Sequence, residues 1–185
     1  PGPIPTEAVE PRNETDPMPF VVDVSEPTLT VLLPEDPGHP TSALVVIPGG
    51  GYMRLGIDGE GADAAKWMHA MGGAGILLKH RVPRRESGYP KHHQALQDAQ
   101  RAVGLVRANA EAWNIDPNRI GVLGFSAGGH LAATLSNNYG ARIYPSVDKA
   151  DEVDCRPNFV ILIYGAYQSD PVDSDTIEPL QNEDQ

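Results

Sequence analysis

A serine flanked by glycines is the residue best placed for chemistry in this chain of 185 residues. Residues 124–128 read Gly-Phe-Ser-Ala-Gly and fit the pattern G-x-S-x-G. A short apolar run of strand type precedes them, and a run of helical character follows. Such a turn forces the serine into a strained conformation that exposes its hydroxyl, and Gly124 and Gly128 are needed because a Cβ there would collide with neighbouring backbone. The pattern predicts a nucleophilic Ser126, with a plain glycine-rich turn as the alternative.

A second glycine cluster, residues 49–51, lies upstream and follows the apolar run 43–47. With no side chains in the way, its backbone N–H groups can point at a ligand, as can those at the start of the helix after Ser126. Acyl transfer needs a nucleophile and two or more donors near the developing oxyanion. A phosphate-binding loop is the other interpretation, but no Lys-Ser/Thr follows the glycines and no G-x-G-x-x-G fits. The two clusters together favour acyl transfer.

Strand-like runs alternate with helical patterns along the chain. The strand-like runs occupy residues 20–24, 28–33, 43–47, 74–78, 120–123 and 159–164, and helical spacing occupies residues 60–71, 91–113 and 131–135. The alternation predicts an α/β domain with a largely parallel sheet and helices on both faces. Ligands of such sheets bind at the carboxyl ends of the strands. Residues 49–51 and Ser126 both follow strands, so the fold should bring them to one edge.

The two longer helical patterns each show an apolar side. The apolar sides comprise Ala64, Trp67, Met68 and Met71 in the first helix, and Leu96, Ala99, Val103, Val106 and Ala110 in the second. Asp98 lies inside the second helical pattern, where we expect it to be a buried structural partner rather than a catalytic acid.

Residues 1–19 contain six prolines and four acids among few apolar residues. They predict an extended arm ahead of one α/β domain at 20–185.

The composition argues against several classes of partner. A net charge of −11 and a pI near 4.8 disfavour nucleic acid and anionic membranes. No apolar run reaches the ~20 residues that would span a bilayer. Cys155 is the single cysteine, so an intrachain disulfide is excluded. The chain begins at Pro1 rather than at methionine, which is compatible with a removed signal peptide and a secreted or periplasmic location, although the sequence leaves the compartment unknown.

Four stretches of the chain carry a resemblance to a known family. The chain resembles bacterial carbohydrate esterases of the α/β-hydrolase fold, within the esterase/lipase group, that are often described as acetylxylan-esterase-like. The resemblance covers roughly residues 43–165 in the family's order. It rests on the stretches 46–52, 78–85, 96–101 and 121–130. It implies a carboxylesterase that cleaves short-chain acyl esters, such as acetyl groups on xylan-type carbohydrate, without a cofactor or a metal.

The resemblance also implies roles for particular residues. Ser126 would be the nucleophile, and the N–H groups of Gly50, Gly51 and Ala127 would form the oxyanion hole. Pro48 replaces the histidine that opens the more familiar H-G-G-G version of the glycine loop. This departure should leave the backbone donors intact, because the glycines supply them.

The histidine of a catalytic triad is not evident. The family's chain order is serine, then Asp or Glu, then histidine. After Ser126 the only histidine is His130, four residues on in the same helix, whereas the family's base arrives from a separate loop. We therefore expect His130 to have a packing or helix-surface role, with a role as base as the alternative. The earlier histidines stand in the wrong order, so we expect surface positions for them and no metal site. They are His39, His69, His80, His92 and His93.

The acid of the triad is not assigned either. Asp170, Asp173 and Asp175 follow the last strand-like run, but the family's acid usually lies after the next strand. We expect the acid and histidine to lie outside this chain, which would be a fragment lacking the last strands of the fold. Two other functions stay open. One is a peptidase of the prolyl-oligopeptidase type, although residues 1–19 are too short for its upstream propeller; the other is a non-catalytic scaffold of α/β-hydrolase type.

Overall fold

The computed structural model describes residues 7–10, 19–35, 37–82 and 92–166. Within these residues it contains three α-helices, a π-helical turn at Asp58–Ala62 and a 3-10 turn at Lys149–Asp151. The strands are β1 (Ala8–Glu10), β2 (Phe20–Val22), β3 (Thr28–Leu32), β4 (Thr41–Ile47), β5 (Arg54–Leu55), β6 (Ala74–Lys79), β7 (Ile115–Phe125) and β8 (Phe159–Ile163). The helices are α1 (Asp63–Ala70), α2 (His93–Ala108) and α3 (Ala127–Asn137). None of these helices is long and apolar enough to span a bilayer.

The central sheet has five strands in the order β3-β6-β4-β7-β8. β3 runs antiparallel to β6, and the remaining pairs are parallel. The apolar runs of β4, β6 and β7 are buried on both faces, as the sequence predicts for interior parallel strands. Ile47 and Gly124 are paired at the carboxyl ends of the adjacent strands β4 and β7. The loops that follow these two strands therefore leave the sheet side by side.

A second sheet is formed by β1, β2 and β5, all antiparallel. β1 lies within the predicted N-terminal arm, where its three residues pair with β2. Most other residues of the arm lie outside the described part of the chain. The sequence did not predict β1 or β5, because strands of two or three residues carry no periodicity of their own.

Helix α1 covers one face of the central sheet, and α2 and α3 cover the other. The apolar side predicted for the second helical pattern is confirmed, because all five residues are buried; α2 itself ends at Ala108, so Ala110 lies just beyond it. The predicted side of α1 is correct only in part. Ala64 and Met68 are half-buried and pack against the core, but Trp67 and Met71 are 52% and 66% exposed. Ala65, which was not predicted, is buried. A Cβ on Gly75 of β6 would collide with the carbonyl of Ala65. The helix approaches the strand so closely that only small side chains fit between them.

An ion pair between Arg81 and Asp98 fastens the end of β6 to α2. The Arg81 side chain donates from Nε and Nη2 to Asp98 Oδ1 at 2.9 and 2.6 Å. The backbone N–H of Arg81 donates to Asp98 Oδ2 at 2.8 Å. Asp98 is buried, and Arg81 is partly exposed. The expectation that Asp98 is a buried structural partner is confirmed.

Side chains hold the irregular connection between α3 and β8. Arg142 donates to the carbonyls of Gln100 and Val153 at 3.2 and 2.6 Å. The Tyr144 hydroxyl donates to Asp151 Oδ1 at 2.7 Å. Burial, together with this carboxylate, raises the pKa of Tyr144. The connection is thus fixed by buried polar contacts instead of a regular backbone ladder.

Candidate active site

Ser126 occupies a sharp turn between β7 and α3. Its φ of 51° and ψ of −118° are a backbone conformation that residues with side chains rarely adopt. The turn is held from both sides, because the Ser126 N–H donates to the Ile163 carbonyl at 3.0 Å and the Ser126 carbonyl accepts from His130 and Ala166 at 3.1 and 3.0 Å. The end of β8 and the first turn of α3 therefore fix the backbone that carries the serine hydroxyl.

The glycines on either side of Ser126 have no room for a side chain. A Cβ on Gly124 would collide with the carbonyl of Gly128, and a Cβ on Gly128 would collide with the carbonyl of Ile47. The same Cβ on Gly128 would lie 2.6 Å from the Pro48 carbonyl. The reason inferred from the sequence for these two glycines is thus borne out by the geometry, which packs the first turn of α3 directly onto the end of β4.

The glycine loop, residues 49–51, lies against Ser126 at the same edge of the sheet. A Cβ built on Gly49 would be 2.9 Å from the Ser126 Cβ. Gly50 and Gly51 have φ values of 137° and 66°, and a Cβ on Gly50 would collide with the Arg54 carbonyl. In the described part of the chain, no backbone hydrogen bond outside helices and strands uses the N–H of Gly50, Gly51 or Ala127. These three N–H groups stay predicted oxyanion donors.

Glu60 joins the glycine loop to the end of β8. Its Oε2 accepts from the Gly49 N–H at 2.8 Å, and its Oε1 accepts from the Tyr164 hydroxyl at 2.7 Å. A pocket of about 220 Å³ adjoins Glu60 and Tyr164. Glu60 could not be identified from the sequence, because an acid in the glycine-rich turn 56–61 carries no local signal of a contact eleven residues away. The pocket is lined by Pro19, Phe20, Gly56, Asp58, Gly59, Glu60 and Tyr164.

Two of the upstream histidines are buried, so the expectation of surface positions for them is wrong. His80 and His92 pack around Tyr52 with ring centroids at 6.3 and 6.5 Å, and His92 also contacts His130 at 5.6 Å. Burial lowers the pKa of His80, and burial with the neighbouring His130 and His93 lowers the pKa of His92 to about 4. Neutral imidazoles are tolerated here because aromatic rings surround them. Of the others, His39 is exposed, and His69 and His93 are half-buried.

His130 is fully buried, in agreement with a packing role. The Tyr52 hydroxyl lies 2.8 Å from its Nδ1, within hydrogen-bond distance. Within the described ranges, no group of three or more His, Cys, Asp or Glu side chains has a geometry suited to a metal ion. Asp170, Asp173 and Asp175 lie outside the described residues.

The sheet order, with helices on both faces and a serine in a sharp turn after β7, is that of the α/β-hydrolase fold. The BD-FAE family model matches residues 29–181, and the chain belongs to this family. The resemblance stated from the sequence and the predicted fold class are thereby confirmed.

Curated relatives and solved structures are consistent with this membership. The chain is 33% identical over 148 residues to an acetylxylan esterase of Xylanibacter ruminicola, covering 80% of the chain and 27% of that protein. It is 36% identical over 121 residues to endo-1,4-beta-xylanase B of Butyrivibrio fibrisolvens, covering 65% and 19%. An acetyl ester-xyloside bifunctional hydrolase from Caldicellulosiruptor lactoaceticus superposes with a TM-score of 0.64 at 32% identity, covering 89% of the chain and 59% of that structure. The chain thus spans about a quarter of the first relative.

Proposed function

We propose that the protein is a serine esterase that removes short acyl groups, with Ser126 as its nucleophile. The observation that carries the proposal is the contact between the strained Ser126 turn and the glycine loop at one sheet edge. A nucleophile with preorganised backbone donors beside it is the arrangement that acyl transfer requires. Relatives named as an acetylxylan esterase and as esterases support the same reaction class.

In the proposed mechanism, the Ser126 hydroxyl attacks the carbonyl carbon of the ester and forms a tetrahedral intermediate. The N–H groups of Gly50, Gly51 and Ala127 then hold the negative oxygen. The alcohol leaves with the proton that the base took from the serine, and the acyl-enzyme forms. Losing one such donor costs about 2.7–4 kcal/mol of barrier in a comparable site. Water releases the acyl group in the second half of the reaction.

The base that takes the serine proton is proposed to come from a residue outside this chain. His130 is poorly suited because it is buried and its Nδ1 lies beside the Tyr52 hydroxyl. The acid that orients the base is likewise proposed to lie outside the chain.

The proposed substrate is an acetylated carbohydrate of xylan type. A relative named acetylxylan esterase and a structure named acetyl ester-xyloside bifunctional hydrolase support this choice. The test compares p-nitrophenyl acetate with longer p-nitrophenyl esters, and acetate release from acetylated xylan with that from an acetylated non-carbohydrate alcohol. Preference for a long acyl chain would contradict the short-chain assignment, and equal release from both alcohols would contradict the carbohydrate assignment.

The nucleophile is tested with a fluorophosphonate probe on the protein expressed from its full reading frame. We expect the probe to label the wild type and the control Ser136→Ala, and not to label Ser126→Ala. Equal labelling of Ser126→Ala would refute the assignment. Residues 1–185 alone should retain at most the residual rate, roughly 10³–10⁴-fold over water, that binding and an oxyanion hole give without a triad. Full turnover by this piece would place the base within it and make His130 the first candidate.

A further inference from the structure

The glycine loop has no side chains that pack, and in the described residues its own hydrogen bonds hold only its carbonyls: that of Gly50 accepts from Met53 and Arg54 at 3.2 Å, and that of Gly49 accepts from Gly56 at 3.0 Å. Oxyanion donors act only when they are held within about 0.5 Å of the productive geometry. The loop must leave β4, pass Ser126 and return to β5 with Gly50 and Gly51 both at positive φ. Whatever fixes this path therefore contributes to the rate without contacting the substrate.

The entry of the loop is fixed by Glu60. Its two carboxylate oxygens each have a donor, the Gly49 N–H at 2.8 Å and the Tyr164 hydroxyl at 2.7 Å. Tyr164 directly follows β8, and its ring packs on Phe125 with centroids 5.9 Å apart. Glu60 thus ties the loop after β4 to the end of β8, across the strand that carries the serine. With both oxygens in use, this carboxylate is suited to bridging rather than to proton transfer.

The exit of the loop is fixed by Tyr52. This residue has a φ of 59° and a buried ring, and its hydroxyl lies 2.8 Å from Nδ1 of His130. His130 lies one turn beyond Ser126 in α3, and its N–H donates to the Ser126 carbonyl at 3.1 Å. The contact between Tyr52 and His130 therefore joins the far end of the glycine loop to the helix that positions the nucleophile.

We propose that Glu60 and the Tyr52–His130 pair are positioning residues that clamp the glycine loop at its two ends and set the placement of its N–H groups relative to Ser126. The proposal rests on the proposed esterase function. Since a displacement of about 1 Å at a reacting centre can cost 10²-fold in rate, loosening either end should lower kcat. KM should change little, because these side chains are proposed to act through the position of the loop and not through contacts with the substrate.

The test measures kcat and KM for p-nitrophenyl acetate, and the melting temperature, on the protein from its full reading frame. We expect Glu60→Ala to lower kcat by roughly 10²-fold and Tyr52→Phe by roughly 3- to 10-fold, with KM within about twofold of wild type. Glu60→Gln should recover most of the loss, because its amide oxygen still accepts from the Gly49 N–H.

Matched controls separate positioning from general stability. Glu111→Ala removes an exposed acid, and Tyr144→Phe removes a hydroxyl that donates to Asp151 far from the loop. Both should leave kcat unchanged, even where Tyr144→Phe lowers the melting temperature. If Glu60→Ala and Tyr52→Phe lower the melting temperature but not kcat, while Ser126→Ala abolishes activity, the clamp is refuted and the esterase proposal stands. If Ser126→Ala stays active, the nucleophile assignment fails and the clamp fails with it.

Discussion

Ser126 has a backbone conformation in which a side chain is unfavourable, so replacing it by glycine should stabilise the protein. A residue other than glycine in such a sparsely populated region costs about 1–3 kcal/mol. Glycine loses about 0.5–1 kcal/mol relative to alanine through the greater freedom of the unfolded chain. The difference leaves Ser126→Gly more stable than Ser126→Ala by about 0–2.5 kcal/mol, and we expect a value of about 1 kcal/mol. For a domain of this size, each kcal/mol raises the melting temperature by about 2–4 °C.

The two variants should be compared by urea unfolding and by thermal melting, since both lack the hydroxyl and differ only at Cβ. Ser136 in α3 provides the matched control because its backbone is helical. There glycine should be less stable than alanine by about 1 kcal/mol, so the order of the two variants reverses between the two positions. An alanine variant at 126 that is as stable as the glycine variant, or more so, would show that the turn stores no strain.

Two further predictions concern stability. The lowered pKa of His92, about 4, means that the unfolded chain binds a proton near pH 6.5 and the folded chain only near pH 4. The free energy of unfolding should therefore fall as the pH drops from about 6.5 to about 4. In urea unfolding, His92→Asn should reduce this dependence of stability on pH. An undiminished dependence, or an equal reduction by the exposed control His39→Asn, would contradict the assignment. Asp98→Ala removes the carboxylate that pairs with the partly buried Arg81 and should lower the free energy of unfolding by about 3 kcal/mol. Asp63→Ala removes an exposed ion pair worth less than about 1 kcal/mol. Equal losses from the two variants would contradict this account.

The sequence predicted those features whose signals are local. Continuous apolar runs identify the interior strands β4, β6 and β7, because a strand buried on both faces has no polar alternation. The G-x-S-x-G pattern specifies both the turn and the absence of side chains at Gly124 and Gly128. The parallel topology then places Ser126 and the loop at 49–51 on one edge, and this expectation needed no knowledge of any single contact.

Features that depend on distant partners could not be predicted in this way. His130 and Tyr52 are 78 residues apart, and neither residue type reveals burial unless the other is known to be near. The exposure of Trp67 follows from the closeness of α1 to the sheet, which the glycine at position 75 permits. Helical periodicity reports which residues share a side, but the depth to which that side is buried is decided by the strand beneath it.

The strand order β3-β6-β4-β7-β8 also determines where a crevice opens at the edge of the sheet. From β4 the chain crosses by α1 on one face to reach β6, and from β7 it crosses by α3 on the opposite face to reach β8. The winding direction thus reverses between two neighbouring strands, and their loops diverge to leave a crevice at the carboxyl edge. Because connectivity creates this crevice, its location does not depend on any side chain within it. Residues around it can therefore be exchanged while the location of the crevice stays the same.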